Sequence, residues 1–477
     1  MHSFALATAS ALLASSILLQ PINAYVRASS YSHGSCPSVV ERDVIVVGGG
    51  SGGTYASVQL AARGKSVAVI EREARLGGNV ATYIDPKTNQ TTDYGVILYT
   101  NTSVARNYFH QLGVEYGPYE GYFPNGSTKY LDYKTGAELP TPAPGNATAA
   151  NEIYLKQMQS YGNLFSTPGY FLPDPVPEDL LLPWGEWLKK YNATAMAYDV
   201  FYVQAGNALE LLTLHIMKYY STLEFTTDRL YTSNRGNQII YNTAYNKLGG
   251  AENVLLESNI KKITRTANGV TAVIERPCGT QTIHAKKLVI AIRPRYVDLA
   301  PFLDLRPNEI KITKEFSNIH TWTCILNGTG LPLDTGYELV DPSAEGGIPP
   351  LPETLGISQS GIKDVEARAF WWSSAKEITR EEAASSLQGR AEFVQKAMNT
   401  TSPPGEKPTI NGLLDHSPYF LYPSRDAVAN GFYKDMNAMQ GQYNTYWTGA
   451  AWESESSAAT WGFTEEVMLP QLLKALN

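Results

Sequence analysis

Beyond a leading polar residue, positions 43–47 and 66–70 are unbroken apolar runs. Runs this short with no polar alternation predict strands buried on both faces, as in a parallel sheet. Positions 55–63 between them carry a helical pattern, which supplies the crossover that a parallel pair needs. Downstream, 102–112 predicts a helix capped by Thr102. The stretch 116–144 is rich in Gly, Tyr and Pro, with short alternating segments suited to strands. Helical patterns dominate 151–159, 180–191 and 208–220. A helix at 236–248 leads into short strands at 253–257, 260–266, 270–275 and 280–283, and 288–292 then rejoins the parallel sheet. Pro and Gly density over 341–356 predicts a loop, and 459–476 reads as the last helix.

The connection between the first strand and helix carries chemistry. Gly48-Gly49-Gly50-Ser51-Gly52-Gly53 supplies G-x-G-x-x-G at Gly48, Gly50 and Gly53. Gly48 allows a tight turn out of the strand, Gly50 a close backbone approach to a pyrophosphate, and Gly53 helix packing on strand. Ser51 opens the helix, whose N-terminus offers unpaired N–H groups and a positive dipole end to phosphates. Glu71, at the tip of the second strand, is placed to accept hydrogen bonds from ribose hydroxyls. Strand, glycines, helix, strand and acid in this order predict a bound dinucleotide.

Glu71-Arg72-Glu73-Ala74-Arg75-Leu76-Gly77-Gly78 then gives E-x-x-x-R-x-G-G. Gly77 and Gly78 allow a second close backbone approach, and Arg75 can face the diphosphate. This second glycine pair resembles the FAD-binding flavoproteins of the amine oxidase and protoporphyrinogen oxidase type. The resemblance continues at Asp93-Tyr94-Gly95, similar to that group's D-x-G segment beside the flavin. It recurs in the strand 286–292 and in the segment around Gly449, similar to the C-terminal flavin segment. The spacing looks most like the fungal flavoproteins related to β-cyclopiazonate dehydrogenase, from Asp43 to the C-terminus. It implies a Rossmann-like α/β FAD-binding domain and an α+β substrate-binding domain, the two-domain amine-oxidase-like architecture. The first domain is expected at 43–115, 235–300 and 415–477, the second at 116–234 and 301–414. With 477 residues the chain exceeds the ~100–200 of one domain.

A net charge of −7 without a basic run argues against nucleic acid. Residues 1–24 read as a signal peptide: an apolar stretch over 4–19, Pro21, then small Ala24. The stretch is shorter than the ~20 apolar residues of a spanning helix, so a secreted or secretory-lumen protein without a stable membrane span is expected. Sequons at Asn89, Asn101, Asn125, Asn146, Asn192, Asn327 and Asn399 agree with glycosylation on that route. Cys36, Cys278 and Cys324 allow one disulfide and leave one thiol. None lies in the C-terminal flavin segment, so non-covalent FAD is expected. No metal-ligand spacing appears, and no metal is expected.

The resemblance also frames the catalytic candidates. Many amine-oxidase-like enzymes place a lysine near the flavin, but the matching stretch 318–324 has none, and His320 stands there instead. His416 is a second candidate for the substrate pocket, and Trp452 for the flavin ring face. Core packing explains Trp452 equally well. The resemblance implies oxidative dehydrogenation or cyclisation of a small, largely apolar, natural-product-like molecule in secondary metabolism. Hydride would pass to flavin N5, and O2 would be the electron acceptor. A redox-neutral isomerase of a polyunsaturated substrate is the alternative, and a non-catalytic scaffold of the same fold a minor one.

Overall fold

The computed structural model describes residues 37–119, 126–204, 206–233, 236–358, 368–374, 376–400 and 407–477. The stretch read as a signal peptide, Cys36 and the Asn125 sequon lie outside the described residues.

Strand β1 (Val39–Val47), helix α1 (Ser51–Ala62) and strand β2 (Val67–Ile70) form the expected crossover unit. β1 pairs in parallel with β2 on one side and with Gly279–Ile290 on the other. Both flanking strands are needed, because Val44 to Val47 are almost wholly buried and leave no free edge. The sheet runs Val254–Leu255, β2, β1, Gly279–Ile290, Gly269–Arg276, Asn259–Thr266, and Thr445–Trp447 also pairs with Gly279–Ile290. Two sequence expectations change here. The strands expected at 280–283 and 288–292 are one continuous element, and β1 starts at Val39 rather than Asp43. Lys286 and Lys287 interrupt the apolar pattern, yet this strand stays paired with β1 from Thr282 to Ile290.

A second sheet has eight strands among the described residues. Its order is Thr409–Asp415, Ser317–Asn327, Arg368–Ser374, Glu353–Ile357, Thr335–Val340, Ser127–Asp132 and Glu138–Leu139. Tyr419–Tyr422, in the stretch assigned above to the first domain, pairs with Ser317–Asn327 of this sheet. One face, with Trp322, Cys324, Leu326, Tyr337 and Leu339, packs on helix Arg380–Ala397 through Ala383, Leu387, Ala391 and Val394. Strand pleating sends Thr321, Thr323 and Ile325 to the other face. There Ile325 meets Tyr83 and Tyr94 from the hairpin of β3 (Thr82–Ile84) and β4 (Thr91–Asp93). That face therefore looks toward the first sheet.

No helix among the described residues is long and apolar enough to cross a membrane. Cys278 is disulfide-bonded, and Cys324 is buried and free. Asn89, Asn146, Asn192 and Asn399 are exposed. Asn101 and Asn327 are partly covered.

Buried charge closes the first sheet. Arg265 donates to Asp304 at 2.7 Å, to both oxygens of Glu309 at 2.6 and 2.7 Å, and to Thr445 at 3.1 Å. It thereby ties the outer strand of the meander to the strand that carries the C-terminal segment. Arg265→Ala strands the Glu309 carboxylate, whose side chain is 1% exposed. A loss of about 3–5 kcal/mol in urea unfolding is expected, and a loss below about 1 kcal/mol would contradict this role for the pair.

Candidate active site

The glycine loop is built as its spacing requires. A Cβ on Gly53 would lie 2.0 Å from the Gly48 carbonyl oxygen, and one on Gly49 would lie 2.3 Å from Leu76. Gly48 turns at φ +98°, a conformation that suits glycine. Gly50 differs: a Cβ there would meet no protein atom within 4 Å. Its φ of −68° is open to any residue, so its lack of a side chain answers to something other than the fold. The first turn of α1 has no side-chain cap and no acidic residue. Its N–H groups and dipole end are thus free for an anion.

Elements from three parts of the chain meet at this turn. A Cβ on Gly78 would lie 3.1 Å from Gly50 Cα, and one on Gly52 3.6 Å from Gly449 Cα. Gly77, Gly78 and Gly449 all have positive φ. Glu71 is buried, accepting from Gly49 N at 2.7 Å and Glu73 N at 2.8 Å. Those bonds aim the carboxylate and leave acceptor capacity for a ribose. Arg75 donates to the Gly78 carbonyl at 3.1 Å and to Gln238 at 3.1 Å, so it braces the glycine pair. Next to Ser51, the hydroxyls of Tyr241 and Tyr99 come together, and none of the three completes a hydrogen bond. Uncapped N–H groups, open space at Gly50 and orphaned buried hydroxyls fit a dinucleotide whose pyrophosphate lies at the α1 N-terminus. Gly48, Gly50, Ser51, Gly53, Glu71, Gly77, Gly78 and Gly449 would hold it, and FAD would supply a hydride acceptor.

Other expected residues serve differently. Asp93 is buried; it accepts from Asn237 N at 3.1 Å and is bonded to Thr82, so it ties the β3–β4 hairpin to helix Gln238–Lys247. Burial pushes its carboxyl up to about 8, with the Thr82 and Asn237 hydrogen bonds opposing. Gly95 permits close packing, because a Cβ would sit 2.1 Å from the Asn79 carbonyl oxygen. Tyr94 reaches the second sheet, with its hydroxyl 3.3 Å from the Cβ position of Gly412.

The three catalytic candidates do not converge. His320 has the same strand parity as Trp322 and Cys324, so it lies on the sheet face turned away from the cradle. Trp452 is fully buried and stacks on Trp447 at 5.6 Å, which is core packing. Trp461 touches the loop instead, with its indole nitrogen 3.3 Å from the Ser51 carbonyl oxygen. His416 does lie at the seam between the sheets, bonded through Nε2 to Thr323 at 3.0 Å. Burial first, and then the charges of Arg293 and Arg75, hold it down at about 3. It is a neutral imidazole at physiological pH, unsuited to exchange protons there.

Lys218, on helix Thr213–Tyr219, was not singled out in the sequence. Its ammonium lies 3.1 Å from Glu453 and donates to the Thr167 carbonyl at 2.7 Å, and Glu453 also accepts from Gly169 N. Both side chains are nearly inaccessible, at 2% and 7%. This pair pins the segment that passes α1 at Gly449. Glu453 thus has a structural use that required knowledge of its partner.

Two outcomes are expected. Gly50→Glu should abolish flavin retention yet leave apoprotein melting unchanged; retained flavin would refute the loop assignment. For His416, the unfolded imidazole takes up a proton below about 6.5, whereas the folded one resists until about 3. Its neutral burial therefore supports stability above 6.5, and that support is lost as pH falls across this window. His416→Gln should flatten the decline in melting temperature between about pH 6.5 and 4.5, and an unaltered slope would contradict the neutral state.

Comparison with known proteins agrees with this geometry. Residues 46–112 match the family model of an NAD(P)-binding Rossmann-like domain. The FAD-dependent oxidoreductase oblC of Cochliobolus heterostrophus is 33% identical over 468 residues, covering 92% of each chain. The FAD-dependent oxidoreductase dbaF of Emericella nidulans is 31% identical over 450 residues, again covering 92% of each. β-Cyclopiazonate dehydrogenase of Aspergillus oryzae is 30% identical over 437 residues, covering 90% of this chain and 92% of its own. Among solved structures, a CLA-producing fatty acid isomerase from P. acnes has a TM-score of 0.70 at 16% identity, covering 90% of this chain and 98% of its own. Cyclohexylamine oxidase from Brevibacterium oxydans has a TM-score of 0.63 at 17% identity, covering 91% and 100%. These two likenesses show the amine-oxidase-like fold. With its cradle and its relatives in agreement, the chain belongs to the fungal FAD-dependent oxidoreductases that include β-cyclopiazonate dehydrogenase.

Proposed function

We propose that this oxidoreductase dehydrogenates or oxidatively cyclises a small, largely apolar natural-product-like molecule. The substrate gives a hydride to FAD, and O2 accepts the electrons. The observation that carries the reading is the apposition of an intact dinucleotide cradle and an apolar, aromatic sheet face. Tyr83 and Tyr94 pack on Ile325 at this face, and Thr321 and Thr323 lie on the same side of the strand. Such surfaces orient a substrate body and exclude water, leaving bond-making to the cofactor. The scaffold alternative has no use for the open approach at Gly50 or the uncapped helix turn.

A secretory-lumen or extracellular location accompanies the proposal. The disulfide at Cys278 supports an oxidising compartment. The exposed sequon asparagines are accessible to glycosylation.

The isomerase reading has one observation in its favour. Strand Ser317–Asn327 contains no lysine and turns Thr321 and Thr323 toward the cradle. In similar amine-oxidase-type enzymes a lysine takes part in oxygen reactivity, and this strand does not supply one.

Anaerobic addition of a true substrate to the yellow holoprotein should bleach the flavin. Readmitted air should restore the colour with one hydrogen peroxide per turnover. Turnover to an isomer, with no net bleaching and no peroxide, would overturn the oxidase reading in favour of the isomerase.

A further inference from the structure

Three phenols stand in the core directly behind the bare turn of α1. Tyr99, Tyr108 and Tyr241 are almost wholly buried, at 1%, 1% and 0% exposure. None of their hydroxyls finds a hydrogen-bond partner among the described residues. Tyr241 comes from helix Gln238–Lys247, and its ring runs beside the second glycine pair. A Cβ on Gly77 would lie 3.2 Å from Tyr241 Cγ. The Tyr241 hydroxyl faces those of Tyr99, of Ser51 in the first turn of α1, and of Ser457 at the start of helix Ser457–Phe463. The Ser51 hydroxyl is likewise buried without a partner among the described residues.

Packing does not call for these oxygens. Tyr99 and Tyr108 meet Trp461 at 5.3 and 4.9 Å, and Tyr99 meets Phe109 at 5.3 Å. Phenyl rings would make the same contacts, and a hydroxyl buried without a partner opposes folding. The row Tyr99, Tyr241, Ser51 ends, however, on the first residue of a 12-residue helix whose opening turn has no side-chain cap and no acidic residue. Hydroxyl dipoles turn with the local field. Without a charge at the turn the row has no preferred direction. A bound anion supplies one: each O–H then points along the row toward it, and the bonds of the row reinforce one another. Trp461 secures the same residue, with its indole nitrogen 3.3 Å from the Ser51 carbonyl oxygen.

We infer that Tyr241, backed by Tyr99, is a positioning residue of the cofactor site, acting through Ser51 to set the first turn of α1 for the diphosphate of FAD. It works from the core side, where no solvent competes, and leaves the approach at Gly50 clear. The role presupposes FAD at the α1 turn, and the wild-type arm of the test separates a failure of that site from a failure of Tyr241.

Flavin is stripped from purified holoprotein, and the apoprotein is titrated with FAD and, separately, with ADP, which carries the diphosphate without the flavin. Quenching of flavin fluorescence reads the first titration and calorimetry the second. Tyr241→Phe keeps the ring against Gly77 and removes the hydroxyl. It should weaken both ligands about tenfold or more, with melting of the apoprotein unchanged or higher. Ser51→Ala should weaken both as well. The double variant should bind no more weakly than the weaker single, because the two residues act as one unit. Undiminished affinity in Tyr241→Phe would overturn the role, as would a loss confined to one ligand. Losses that multiply in the double variant would overturn action through Ser51. If Tyr241→Phe does not fold, Tyr99→Phe carries the test: affinity for both ligands should fall about threefold or more, and unchanged affinity would overturn the role. Wild-type apoprotein that binds no FAD would instead refute the cofactor site itself.

Discussion

A pyrophosphate brings negative charge to the edge of a protein core, and the first turn of a helix is among the few places that can receive it. That reception works only where no side chain intervenes. The glycine cradle follows from keeping the turn of α1 bare and its surroundings rigid. Gly48 and Gly53 bring β1 and α1 together without room for a Cβ, while Gly50 keeps the approach clear. Gly78 and Gly449 arrive from different parts of the chain, each at positive φ. The sheet exists to hold these glycines in register, and its central strand is sealed on both sides.

Charged groups set the second level of order. Arg265 locks the meander to the strand leading into the C-terminal segment. Lys218 and Glu453 pin that segment after it passes Gly449. Arg293 and Glu455 join the cradle to the second sheet. Buried ions are costly unless paired, so each of these contacts fixes a relative position more than it adds stability. The face of the second sheet turned to the β3–β4 hairpin is apolar and aromatic by contrast, with Ile325 under Tyr83 and Tyr94.

The cradle was legible in the sequence because its logic is local. Gly48 through Gly78 lie within one crossover unit, and their spacing encodes their use. The returning strand was less legible, since Lys286 and Lys287 break an apolar pattern without breaking the pairing. His320 was misplaced for a different reason. Its residue type suited chemistry, but which face it occupies depends on a register that no local pattern reveals. Asp93 sat in the expected motif, yet its carboxyl turned to a helix N-terminus 144 residues away in sequence. Lys218 and Glu453 were not legible as a pair because each finds its partner in a distant segment.

With the turn of α1 bare, and Glu71 and the glycine pair beside it, FAD should be held without a covalent bond. The direct measurement is to denature the purified chain and identify and count what it releases. One FAD per chain should be recovered, intact and separable from the polypeptide. NAD in its place, flavin that stays on the polypeptide, or no nucleotide at all would contradict it.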